Sequence, residues 1–248
     1  MPSQSNDYDG EFYDFVGGAA SVSAAKVVPI TYRLFSPQSV VDVGCGQGVW
    51  AQAWKQVGVE TVIGVDGDYV DRSRLFIDEE SFVPCDLAAP LDLGRKFDLV
   101  QSLEVAEHIP RDKADVFVDS LVRHGDVVVF SAALPGQGGI RHVNEQPFSY
   151  WRDRFADRGF VLIDAIRDKI LSDEDVTWWY RYGILVYVRD EVLTSLPMEV
   201  QSKVIPREDR IPDYSPFALR LRRTFMRFLP RSVSEWLTLR YMGKTTSE

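Results

Sequence analysis

Seven short apolar runs recur along the first 190 residues, separated by segments with helical spacing. Val40, Val41 and Val43 form the first β-branched run, followed by Thr61–Val65, Ser81–Pro84, Phe97–Leu103, Asp126–Ser131, Phe160–Ile166 and Ile184–Val188. Between them, Val49–Lys55, Tyr69–Phe76 and Ala114–His124 read as helices, the last closed by Gly125. Upstream, Val27, Val28, Ile30 and Leu34 predict a helix over Ser23–Leu34, stopped by Pro37. Strands alternating with helices predict an α/β domain built on one sheet.

The first run leads into the most informative stretch, residues 39–48, where Gly44, Gly46 and Gly48 stand at every second position before a helix begins. Lacking Cβ atoms, they let a ligand approach the backbone, and the helix start offers unpaired N–H groups. The third glycine comes one residue earlier than in G-x-G-x-x-G, and no Lys or Arg lies in the loop to meet a pyrophosphate. The loop therefore suits a nucleoside without phosphates. Asp42 can accept from a ligand amine or from the turn itself, and Asp66 stands where nucleotide-binding sheets place the acid for ribose hydroxyls. Together they suit a cationic ligand bearing a ribose.

VVDVGCGQG followed by VIGVDGD resembles the first two motifs of the class I S-adenosylmethionine-dependent methyltransferases, and the resemblance extends over about residues 20–190. It implies a Rossmann-like, seven-stranded, mostly parallel sheet with helices on both faces, an antiparallel last strand and an added N-terminal helix. It also implies S-adenosylmethionine as cofactor, held by Asp42, Gly44, Cys45, Gly46, Gly48, Asp66, Gly67, Asp86, Leu87, Ser102 and Leu103. In that family pattern Asp86 meets the adenine amino group and the Leu87 backbone a ring nitrogen; the residues alone also allow Asp86 to be a turn cap. GGxxHVNEQPxxYW after the fifth strand resembles a loop of bacterial O-methyltransferases of polysaccharide and secondary-metabolite pathways. The implied reaction is methyl transfer to a hydroxyl of a sugar, glycan or small polar metabolite. A phenol or quinol O-methyltransferase, or a non-catalytic cofactor-binding partner protein, is the alternative.

The segment after the fourth strand carries the candidate catalytic chemistry. If it turns helically, Glu104, Glu107 and His108 share a face, and His142 arrives from the glycine-rich loop after the fifth strand. E-x-x-E-H with a later His is similar to the metal motif of small-RNA terminal ribose O-methyltransferases and, more loosely, of ubiquinone-pathway O-methyltransferases. A divalent metal on these four residues would be Mn, Fe or Zn more readily than Mg, because imidazole is the softer ligand. Without a metal, His142 serves as general base, with His108 and Glu107 bracing the site. Both readings stand at this point.

Composition narrows the rest. At 248 residues and 28.2 kDa, 45% hydrophobic and 26% charged, the chain has the make-up of one globular domain with added segments. Cys45 and Cys85 show no paired spacing, the start is polar and acidic, and no run approaches about 18 apolar residues, so a reducing cytoplasm is expected. Net charge is −9, split as +3 over residues 191–248 and −12 elsewhere. An acidic body argues against a broad nucleic-acid surface and for a small or glycan acceptor. The expected organisation is an arm over 1–20 with Tyr8, Phe12, Tyr13 and Phe15, a cofactor domain over 21–190, a proline-marked linker over 191–213, and a basic amphipathic helix beyond it. That helix, within residues 214–248, would pack on the domain or a partner, or lie at a membrane surface.

Overall fold

The computed structural model describes residues 10–229 and Val233, with side chains from Gly18 onward. The aromatic cluster expected in the N-terminal arm lies outside those side chains. In chain order the elements are α1 (Gly10–Phe35), β1 (Ser39–Val43), α2 (Val49–Gln56), β2 (Thr61–Asp66), β3 (Phe82–Pro84), β4 (Leu99–Leu103), α3 (Ala114–His124) and β5 (Val127–Ser131). There follow α4 (Phe148–Ala156), β6 (Phe160–Ile163), α5 (Arg167–Ile170), α6 (Trp178–Gly183), β7 (Leu185–Arg189), α7 (Asp190–Leu193), α8 (Met198–Gln201), β8 (Val204–Ile205) and α9 (Phe217–Met226).

One sheet runs in the order β3-β2-β1-β4-β5-β7-β6-β8. Strands β1 to β5 pair in parallel, whereas β7 is antiparallel to both β5 and β6. Every residue of β4 and β5 is buried, as a strand covered on both faces requires. One apolar layer joins Val27, Val28, Trp54 and Ile170 from α1, α2 and α5 to the sheet; the other joins Phe117, Leu121, Trp151 and Phe155 from α3 and α4. Strand order reverses between β1 and β4, so their carboxyl ends open the crevice in which open α/β sheets bind ligands.

Three expectations change. The helix starts at Gly10, inside the segment expected to be an arm. Tyr69–Phe76 forms only a 3₁₀ turn at Arg72–Arg74, because the Asp71 carboxylate accepts from the Ser73 amide (3.0 Å) and hydroxyl (2.7 Å) and holds the backbone in a turn. The sheet has eight strands rather than seven: Val204 and Ile205, inside the expected linker, pair with Ile163 and Leu162. Two strand residues are too few to show a periodicity, so the prolines dominated the sequence pattern.

Candidate active site

The end of β1 is tied to β2 by the Gly44 and Cys45 amides, which both donate to the Val65 carbonyl (2.7 and 3.2 Å). Gly44 and Gly46 turn through positive φ (84° and 53°). Their surroundings differ. A Cβ on Gly44 would come within 2.3 Å of Val105 Cγ2, so the loop lies flat against the connection leaving β4, whereas a Cβ on Gly46 would meet nothing within 4 Å. The loop thus leaves open space against bare backbone.

Two buried acids flank that space. Asp66 accepts from the Gly46 amide (2.7 Å), the Gly67 amide (2.6 Å) and the Tyr69 hydroxyl (2.6 Å), which fixes it at the rim of the loop. Asp42 Oδ1 accepts from Gln101 Nε2 (3.0 Å), whose own oxygen accepts from Trp54 Nε1 (3.0 Å), while Asp42 Oδ2 has no partner. Burial pushes the Asp42 carboxyl up to about 7. Ser102 Oγ at the end of β4 is likewise buried without a partner, beside the buried Leu103. Unpartnered buried acceptors beside a glycine loop whose sequence holds no lysine or arginine fit a cationic, ribose-bearing nucleoside. Cys45 lines the loop as a buried thiol held far above its ordinary pKa by desolvation. Beyond β3, Leu87 is buried, and Asp86 is exposed and caps its own turn by accepting from the Ala88 amide (2.9 Å).

The second half of the site gathers behind β4 and β5. The expected helical face does not form: Glu104 has φ 57°, and only Ala106–His108 make a 3₁₀ turn. Glu104 instead turns toward β5, accepting from Ser131 Oγ (2.8 Å) and Gln137 Nε2 (2.8 Å). Of the four residues expected to converge, Glu107, His108 and His142 do so, with one donor atom from each within 4.8 Å of the others, while Glu104 faces Ser131 and Gln137. They meet because the Val143 and Asn144 amides both donate to the Glu107 carbonyl (2.8 and 2.9 Å), which sets the His142 ring edge-on to His108 at 5.0 Å.

Charge placement gives this cluster its chemistry. Glu107 is 0% exposed and neither carboxylate oxygen has a hydrogen-bond donor; burial, then the Glu104 carboxylate, drives its pKa well up. Desolvation and the neighbouring His142 hold His108 down at about 4, so its ring is neutral near pH 7. Burial raises the Glu145 carboxyl, but bonds from His142 Nδ1 (2.9 Å) and the Gly136 and Gly138 amides (2.7 and 2.8 Å) outweigh it, and the group stays below its ordinary value. Glu145 thereby anchors the His142 ring through Nδ1, and its Nε2 lies 4.0 Å from Glu107 Oε1. The donor set suits a divalent ion that accepts imidazole as well as carboxylate. Sequence reasoning gave no role to Glu145 or Gln137; the one available signal was their place in the same glycine-rich loop.

The chain's last described helix closes over that loop. Arg222 donates to the Gln137 carbonyl (3.2 Å), and a Cβ on Gly136 would come within 2.0 Å of the Arg223 carbonyl oxygen. Arg223 is buried, paired with Asp213 and bonded to Ser215 Oγ (3.3 Å). Of the two faces expected for this helix, Arg223 and Met226 face the domain, and Phe217, Phe225 and Phe228 face solvent. No helix among the described residues is long and apolar enough to cross a membrane.

Known proteins agree with this architecture. Among curated relatives, protein arginine N-methyltransferase 1 of Dictyostelium discoideum is 24% identical over 225 residues, covering 83% of this chain. The mitochondrial ubiquinone biosynthesis O-methyltransferase of Arabidopsis thaliana is 37% identical over 91 residues, 33% of this chain. The matches span 59% and 27% of those relatives' own lengths. Among solved structures, the sugar N-methyltransferase KedS8 from Streptoalloteichus sp ATCC 53650 superposes with a TM-score of 0.56 at 19% identity, covering 76% of this chain and 97% of its own. Magnesium protoporphyrin IX methyltransferase from Synechocystis PCC 6803 with bound SAM gives 0.51 at 23% identity, covering 77% and 87%. The family described as a methyltransferase domain matches residues 23–155. With more than half of its length matched in this way, the chain belongs to the methyltransferase-domain family.

Proposed function

We propose that the protein transfers the methyl group of S-adenosylmethionine to a hydroxyl of a sugar, glycan or other small polar acceptor, with His142 as general base. The reading rests on His142, anchored through Nδ1 to Glu145 and presenting Nε2 beside the buried Glu107 at the carboxyl end of the sheet. In this reading Asp66, held at the glycine loop by the Gly46 amide, takes the cofactor's ribose hydroxyls, and the unpartnered Asp42 Oδ2 receives polar hydrogens from the loop or the ligand. Gly46 leaves the space for its backbone-side approach. In the transfer, the sulfonium S–CH₃ bond breaks as the O–CH₃ bond forms. The hydroxyl proton passes to His142 Nε2, and the cofactor leaves as the neutral thioether. Glu145, ionised through the reaction, stabilises the imidazolium.

A second reading has its own observation, the convergence of Glu107, His108 and His142. These three would hold a divalent ion such as Mn²⁺, Fe²⁺ or Zn²⁺, which would act as a Lewis acid on the acceptor hydroxyl. The deciding experiment is a methyl-transfer screen over nucleotide sugars, amino sugars, glycans, catechols and quinols, repeated after exhaustive chelation. Turnover on a hydroxyl acceptor that survives chelation and vanishes in His142→Ala supports the base. Turnover lost on chelation and restored by Mn²⁺ or Zn²⁺ selects the metal, and transfer to amines alone overturns O-methylation.

A further inference from the structure

Twelve large hydrophobic side chains stand exposed among the described residues, and seven of them fall between Tyr214 and Val233. Four make one stripe: Phe217, Leu221, Phe225 and Phe228 are 71, 43, 64 and 83% exposed. At 3.6 residues per turn, α9 and the turn that continues it bring these four within an arc of about 80°, and Arg220 and Arg227 lie along one edge of that arc. Both arginines are exposed as well. From residue 214 to 231 the sequence holds five arginines and no acid, in a chain whose net charge is −9. The opposite side of the helix is already engaged, with Met226 buried, Arg223 paired to Asp213 and Arg222 bonded to Gln137. The outer stripe is therefore not the face that holds α9 on the domain.

We propose that this stripe docks the protein on an anionic phospholipid surface. The charge decides among occupants: a cationic edge beside an apolar stripe matches acyl chains beneath phosphate headgroups, with arginine at headgroup level and phenylalanine below it. Shape points the same way. Side chains that project singly enter a fluid interface without a preformed groove, whereas a protein partner must supply a matching pocket for each. Because Arg222 and the Arg223 carbonyl rest on the Gln137 and Gly136 loop, docking brings that loop to about one helix diameter, roughly 10 Å, from the lipid surface.

The test is flotation of the full chain with phosphatidylcholine vesicles and with vesicles of equal phosphatidylcholine and phosphatidylglycerol. The protein is expected to float with the anionic vesicles and not with the neutral ones, and to be released by high salt. Phe217→Ser with Phe225→Ser and Phe228→Ser should lose flotation, as should Arg220→Glu with Arg227→Glu, each with an unchanged melting temperature because the sites are exposed. Failure of the full chain to float with anionic vesicles overturns the proposal, as does flotation that the variants retain. A doubled mass in light scattering that the triple serine variant abolishes, without flotation, would assign the stripe to a second copy. Flotation seen only after removal of residues 230–248 would assign it to that segment; either result rejects the lipid surface as occupant.

Discussion

Gly44 and Gly46 sit two residues apart in one loop with similar backbone conformations, yet they should fail in different ways when changed to alanine. Both pay the left-handed backbone penalty of about 1–2 kcal/mol. At Gly44 the new methyl also lands 2.3 Å from Val105 Cγ2 and 2.7 Å from its Cγ1, inside a packed layer. Overpacking of that kind costs about 1–3 kcal/mol. Gly44→Ala should therefore lose roughly 2–5 kcal/mol of unfolding free energy, and Gly46→Ala only the first 1–2. Affinity should separate them in the other direction. The Gly46 methyl enters the space assigned to the cofactor and displaces it from the loop, at a cost near that of a lost hydrogen bond, roughly 1–3 kcal/mol or about 5- to 150-fold in Kd. Urea denaturation of the ligand-free protein and calorimetry with S-adenosylhomocysteine measure the two quantities. An unchanged Kd in Gly46→Ala, with the protein folded, would refute the cradle assignment; equal destabilisation by the two substitutions would refute the packing argument.

Asp42 makes stability depend on pH in a direction opposite to most acids. Its folded pKa is raised to about 7, so its stabilising contribution is complete below the ordinary carboxylate value and is lost as pH climbs through 7. Asp42→Asn should flatten the ligand-free stability profile between about pH 4 and 7 and raise the urea midpoint at pH 8; a wild-type profile in the variant would contradict the burial account. Arg167 is fully buried, forked onto Asp164 (2.8 and 2.7 Å) and bonded to the carbonyls of Tyr182 (3.2 Å) and Pro212 (3.0 Å). Arg167→Met should cost about 3–5 kcal/mol by stranding Asp164, and adding Asp164→Leu should return part of that loss, both read by urea denaturation; a single-variant cost below about 1 kcal/mol would show that water reaches the pair.

What the sequence revealed follows from how local each signal was. β1, its glycine turn and α2 were legible because a β-branched run, three glycines and a helical spacing lie within 18 consecutive residues. The antiparallel β7 came through resemblance, since nothing in Leu185–Arg189 itself encodes direction. Glu104 was misplaced because the face-sharing rule assumes helical φ, whereas a left-handed residue there turns the side chain to Ser131 and Gln137. The meeting of His142 with Glu107 and His108 depends on two loop amides finding the Glu107 carbonyl, and backbone pairing leaves no residue signature. The orientation of the tail helix was not legible for a related reason: spacing identifies two faces of a helix but not which one turns inward, and here a buried arginine with its own aspartate decides it.

The contact between Gly136 and the Arg223 carbonyl also sets a timetable. Gln137 and Arg222 are 85 residues apart, and a ribosome adding about 5–20 residues per second separates their synthesis by roughly 4–17 s. The parallel strands, the glycine turn and the loop bearing His142 all leave the ribosome before the helix that covers that loop. A nascent chain can pair its parallel strands before α9 is available to rest on the Gly136 and Gln137 loop. A chain halted before α9 is made would carry the glycine turn after β1 without the helix that rests on Gly136 and Gln137.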